Sequence, residues 1–330
     1  MELRPTRLFF EPLSMPAIIG KNIGQYRILA KTRLGESGTV YKAVHIGQRQ
    51  TYAVKLLTGS FDDGNVAHRL FQEKLRIAVS LDHPQIGRTF PLETHGEYQV
   101  IPLEFVYGQN LSERISEGPS SFDFALKLAL QFSDALIFAH EVGIVHGQIT
   151  SNNVVVGSDG QLKILSFGIS SLPEELEAPD PQDDFYNPYY FQPIKPPLSR
   201  VAYLAPEQVR GDIGDARSDL FSLGVILYEL LLGQFLFEGE EVDDLYRQIL
   251  DRDLPRLHKV RQDASASWSK VLRALLDKNP TERYPSARDL MTDLHRIREG
   301  DSIDQPCFRS KNQPITRRSF FRHFIGEREE

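Results

Sequence analysis

Cysteine is almost missing from this chain: Cys307 is the single one among 330 residues. One thiol can build neither an intrachain disulfide nor a cysteine-based metal site, and this scarcity fits a reducing cytoplasmic setting. Long apolar runs are also missing. The strongest, FSLGVILYELLLG (221–233), is interrupted by Gly224 and Glu229. It falls short of the roughly 18 residues that a membrane crossing needs, so the expectation is a buried core helix and no transmembrane segment. The early stretch FFEPLSMPAIIG holds two prolines and an acid with no small-residue cleavage site, and is not read as a secretory signal. Positive charge is in deficit. Lys and Arg number 38 against 45 Asp and Glu, a net of -7, which argues against nucleic acid or an anionic membrane as partner. Internal repeats and low-complexity tracts are absent as well.

What is present is an ordinary globular composition, 41% hydrophobic and 25% charged. From Tyr26 the pattern is strand-like: YRILA, GTVYKAVHI and QTYAVKLL are β-branched or aromatic runs separated by glycine-containing turns. Helical spacing takes over at 65–81, and short strands are expected at 88–93 and 98–106. Beyond Gly108 helices dominate, at 122–142, 217–233, 241–251, 266–276 and 286–298, with strand candidates VVV (154–156) and LKIL (162–165). A β-rich part followed by an α-rich part predicts an α+β chain of two lobes around a cleft. The expected divisions are an N-terminal extension (1–24), a small lobe (25–107), a large lobe (108–299) and a flexible polar tail (300–330). The large lobe carries an acidic insert at 171–200. There Glu174, Glu175, Glu177, Asp180, Asp183 and Asp184 precede a cluster of tyrosines and phenylalanines. The insert reads first as a solvated loop, with Tyr186, Tyr189 and Tyr190 as anchors for a partner in the sharper reading. The tail's TRRSFFRHF reads as disordered, with a docking segment as its alternative and export targeting set aside for want of an apolar region after it.

Several phrases in this order resemble the eukaryotic-type protein kinase family in its bacterial serine/threonine style, over about Tyr26 to Ile297. RLGESGTV (33–40) is similar to the glycine-rich nucleotide loop, with Gly35 and Gly38 in place and Arg33 where the first glycine belongs. Lys55 in YAVKLL resembles the lysine that reaches the α- and β-phosphates. Its helical glutamate partner falls on Lys74, and Glu73 is one residue, about 100° of helix, away. EFVYGQNL (104–111) resembles the adenine-holding hinge, with Leu103 beside the pocket. The resemblance implies that Val40, Ala53, Leu103, Glu104, Val106 and Asn153 join Gly35, Gly38 and Lys55 in handling a nucleotide.

Two phrases depart from the family. VHGQITSNN (145–153) keeps His146 and Asn153, but Gln148 stands where the proton-accepting aspartate belongs, Thr150 replaces the catalytic lysine and Gly147 the arginine. ILSFG (164–168) puts Ser166 in the place of the magnesium-holding aspartate, ahead of Phe167 and Gly168. An amide cannot take a proton at neutral pH, and a hydroxyl is a poor ligand for a hard dication. Scaffold positions persist. YLAPEQVRG (203–211) holds Glu207, which the resemblance pairs with Arg283, and Asp219 is the expected support of the catalytic-loop backbone. The expected function is therefore that of a degenerate member, a pseudokinase. It would act as scaffold, allosteric partner of an active kinase or its substrate, or nucleotide-responsive switch, with weak ATP binding, magnesium held by Asn153 weakly or not at all, and no confident catalytic residue. The alternatives are an atypical active Ser/Thr kinase or nucleotidyl transferase, rescued by Glu73, Asp159 or the acidic insert, and a pure interaction module.

Overall fold

A computed structural model of the chain describes residues 18–32, 40–57, 66–96, 98–167, 169 and 197–308. The small lobe is built on an antiparallel six-stranded sheet. Its strands are β1 (Asn22–Ile23), β2 (Tyr26–Lys31), β3 (Val40–His45), β4 (Thr51–Leu57), β5 (Glu93–His95) and β6 (Tyr98–Glu104), in the order β1-β2-β3-β4-β6-β5. In β2 the alternation is that of a half-covered strand, with Tyr26 and Ile28 buried and Arg27 and Leu29 outward. β4 is buried from Tyr52 to Leu57 because it lies between β3 and β6, with Lys55 paired to Val40 and Ile101. The strand expected at 88–93 begins only at Glu93. Pro91 has no N–H for a ladder, so the preceding residues pair irregularly, through a single bridge from Thr89 to Leu103. Helix α1 (Val66–Ser80) packs Leu75 and Ala78 beside Leu57, Ile101 and Ile169.

The large lobe gathers around α6 (Ala216–Leu232), buried along nearly its whole surface. Asp215 caps its start through the Arg217 N–H, and Gly233 ends it in the left-handed conformation, φ 67°. Before it in sequence come β7 (Gln109–Asn110), α2 (Leu111–Ser116), α3 (Phe122–Glu141), β8 (Val154–Val156), β9 (Leu162–Ile164), α4 (Leu198–Val201) and α5 (Pro206–Val209). After it come α7 (Val242–Asp251), α8 (Leu257–Val260), α9 (Ala266–Leu275) and α10 (Ala287–Glu299). α3 buries Ala125, Leu128, Ala129, Phe132, Leu136 and Ala139, the spacing of one helical face. α2 escaped the sequence reading, although Asn110 caps it by accepting the Glu113 N–H, an Asn-x-x-Glu signature. Beyond α10 the chain turns back. Ile303 is buried with its N–H on Ser267 Oγ, and the Cys307 N–H donates to Asp293. No helix among the described residues is long and apolar enough to cross a membrane.

Candidate functional site

The site is held by the small sheet β7-β8-β9. Antiparallel pairing of Val154 with Ile164 brings the residue before β8 next to the residues after β9. Asn153 C=O accepts the Leu165 N–H at 2.7 Å, which fixes Asn153 and Ser166 as neighbours. Ser166 itself sits at φ 66°, a left-handed conformation that costs a side-chain-bearing residue roughly 1–2 kcal/mol. Phe167 is buried and meets the His146 ring edge-on at 4.6 Å.

His146 is fixed from both nitrogens. Nε2 lies 3.1 Å from the Leu165 carbonyl, which can only accept, so Nε2 carries the hydrogen, while Nδ1 accepts the Gln148 N–H. Burial lowers its pKa, and the ring is neutral at physiological pH. Asp219, fully buried in α6, accepts the N–H groups of His146 and Gly147 at 2.9 and 2.7 Å. It also meets His140 Nε2 at 2.9 Å, from a residue 79 positions earlier that no sequence rule links to it. Gly147 adopts φ 73°, where glycine is at ease. Gln208 completes the support by donating to the Gly147 carbonyl.

The amide of Asn153 is committed to this same loop. Its Oδ1 accepts the Thr150 N–H and its Nδ2 donates to the Gln148 carbonyl, both at 3.0 Å. Gln148 is buried, and neither its side-chain oxygen nor its nitrogen has a hydrogen-bond partner; Thr150 Oγ1 is likewise buried without one. Ser151 belongs to a different chain of contacts. Its hydroxyl meets Tyr203 Oη at 2.7 Å, and Tyr203 donates to Glu229 Oε2 at 2.7 Å. Glu229 is fully buried in α6 and accepts the Leu236 N–H with its other oxygen. Burial pushes its pKa up to about 7, against the pull of the Leu236 N–H and the Tyr203 hydroxyl.

Across the cleft, Lys55 is buried in β4. α1 turns Lys74 inward, half-buried, and Glu73 outward, exposed. Burial lowers the Lys74 pKa, the expected response of an ammonium leaving water. Val40, Ala53, Leu103, Glu104, Val106 and Ser166 come together around one cavity. Arg88, Phe105 and Leu165 join them, which the sequence reading had not named. The space is about 30 Å³, room for a water or two. The Glu104 carboxylate is engaged by Lys163 Nζ and the Arg88 N–H, both at 3.0 Å. Asp159 lies in the turn at the opposite end of the β8–β9 hairpin from Asn153, where its carboxylate caps the Gln161 N–H. Arg33, Gly35, Gly38, Gly168, most of the acidic insert (171–196) and TRRSFFRHF lie outside the described residues.

The scaffold pair is in place. Arg283 grips Glu207 with two hydrogen bonds, at 2.8 and 2.7 Å, and Ser218 adds a third. Arg283 is fully buried beneath the Phe221 ring. Burial would raise the Glu207 pKa, but the Arg283 fork and the Ser218 hydroxyl bring it below the usual carboxylate value.

Residues 26–294 match the family profile described as protein kinase domain. The serine/threonine-protein kinase PrkC of Bacillus subtilis is 29% identical over 293 residues, covering 88% of this chain and 43% of that protein. The serine/threonine-protein kinase PknB of Mycobacterium tuberculosis is 28% identical over 278 residues, covering 82% and 42%. The chain thus spans less than half the length of these relatives. The crystal structure of the Mycobacterium tuberculosis PknI kinase domain shares the fold at a TM-score of 0.61 and 21% identity, covering 86% of this chain and 99% of that one.

Proposed function

This chain belongs to the protein kinase domain family, and we propose that it works by binding other proteins rather than by efficient phosphoryl transfer. The reading rests on the chemistry of one loop and its neighbour. At the family's proton-accepting position stands the Gln148 carboxamide, which can donate and accept hydrogen bonds but cannot remove a proton. A well-placed general base is worth roughly 10²–10⁴ in rate. The second acid of the family is Ser166.

The residues present do not fit a magnesium site. Ser166 is neutral, and the oxygen of Asn153 is already spent on the Thr150 N–H. A hard dication selects anionic oxygen, and neither group supplies it. Glu73 faces solvent and Asp159 lies at the far end of its hairpin, so neither of these two carboxylates supplies the missing anion. Lys55 leaves room for weak, metal-independent contact with a nucleotide's phosphates. A second reading, supported by the same neutral pair Gln148 and Ser166, is a module whose cleft takes no nucleotide at all.

The test is transfer of label from γ-labelled and α-labelled ATP, to the chain itself and to a generic protein substrate, beside the Lys55→Ala variant. The proposal expects no transfer above that variant. Lys55-dependent transfer of the γ label would establish a kinase, and of the α label a nucleotidyl transferase.

A further inference from the structure

A second cavity, of about 500 Å³, opens in the large lobe away from the cleft. It lies between the link from α7 to α8 and the end of α9. Its rim carries four cations, Arg252, Arg256, Arg273 and Lys278, against two carboxylates, Asp253 and Asp277. On a chain of net charge -7 this is a reversal of sign. Two of the cations are built into the wall: Arg252 donates to the Leu236 carbonyl and Lys278 to the Ile249 carbonyl. Arg256 and Arg273 are exposed, and neither has a side-chain hydrogen bond or ion pair among the described residues. The floor is apolar, formed by Leu254, Leu272 and Leu276. Burial lowers the Lys278 pKa, so an arriving anion would relieve a strained charge. A ligand suited to this cavity carries several negative charges next to large apolar groups.

The chain contains such a segment. Residues 180–191 read DPQDDFYNPYYF: Asp180, Asp183 and Asp184, then five aromatic side chains. The segment lies outside the described residues, but the place where the chain returns is fixed. Pro197 leads directly into α4, which packs on α7. α7 is ten residues long, about 15 Å, and the cavity begins at Arg252 immediately after it. Six residue steps lead back from Pro197 to Phe191, a reach of about 20 Å when extended. That reach exceeds the length of α7.

We propose that residues 180–191 dock in the basic cavity between α7 and α9 of the same molecule, aspartates on Arg256 and Arg273 and aromatics on the leucine floor. The inference does not use Gln148 or Ser166 and stands apart from the reading of the cleft.

Limited chymotrypsin digestion of the full chain at low salt reads the docking directly, since cleavage sites fall at Phe185, Tyr186, Tyr189, Tyr190 and Phe191. Cleavage there is expected to be slow in the native chain. It should quicken about tenfold in Arg256→Glu/Arg273→Glu and in high salt, the signature of exposed charge pairing. Adding Asp183→Arg/Asp184→Arg to that variant should restore protection. Both arginines are exposed, so the melting temperature serves as the check that folding is intact. Equal cleavage rates in the native and charge-reversed chains would overturn the proposal. So would protection that grows with protein concentration, because the segment would then sit on a second copy.

Discussion

Among the described residues Glu229 has no cation beside it, yet it is the last link of a hydrogen-bonded chain from the loop residue Ser151 through Tyr203. Its folded pKa of about 7 lies above the ordinary 4.5, so the folded state binds the proton more tightly than the unfolded one. The sign follows from linkage. This group costs nothing below about pH 4.5 and destabilises increasingly up to pH 7, by as much as ~3 kcal/mol. In Glu229→Gln the amide oxygen can still accept the Leu236 N–H and its nitrogen can donate to Tyr203. Chemical denaturation from pH 5 to 8.5 should therefore show the variant matching the native chain at the acid end and exceeding it by about 2–3 kcal/mol at the alkaline end. A difference that does not change with pH would refute the assignment. Ser166 supplies a second test at this scale. Glycine there removes roughly 1–2 kcal/mol of left-handed strain and gives back 0.5–1 in unfolded-chain entropy. Ser166→Gly should gain about 0.5 kcal/mol in a urea titration; a loss would mean that the hydroxyl holds the turn.

Among the elements, the tie between α5 and the turn before α10 rests on Glu207 and Arg283. Truncating one partner strands a buried charge. Arg283→Met is expected to cost about 3–5 kcal/mol. Glu207→Gln/Arg283→Met should cost clearly less than the two single changes summed, because it leaves no unpaired ion. Additive losses would show that the two side chains act independently. The elements themselves were legible in proportion to their length and one-sidedness. α3 could be read from its one-sided apolar periodicity, and α6 from the apolar run FSLGVILYELLLG that suits a helix buried on nearly every side. α2, of six residues, buries only Leu111 and Ile115, and its cap was the only signal. The strand placed at 88–93 shifted because one proline outweighs several β-favouring neighbours. The turn of 301–308 back onto α9 and α10 left no trace in composition, since it depends on backbone bonds to Ser267 and Asp293.

For the whole molecule, a bilobal fold and a cleft at the junction were readable because the change from strand to helix periodicity is a property of long stretches. The family's phrases in fixed order then located the loop of His146 to Asn153. What stayed hidden was how that loop is wired. That the Asn153 amide is consumed by its own loop, that Gln148 is left without partners, and that His140, Gln208 and Tyr203 brace the loop all depend on residues far apart in sequence. The cleft's character follows from those contacts. It keeps the cations Lys55 and Lys74, while the two positions that carry anions in the family hold an amide and a hydroxyl.

That loss of anionic oxygen is measured most directly by calorimetric titration of the purified chain with ATP, in magnesium and in excess chelator. The account predicts the same weak or absent binding in both. Tighter binding that requires magnesium would contradict it, since some carboxylate would then be holding the ion beside Asn153.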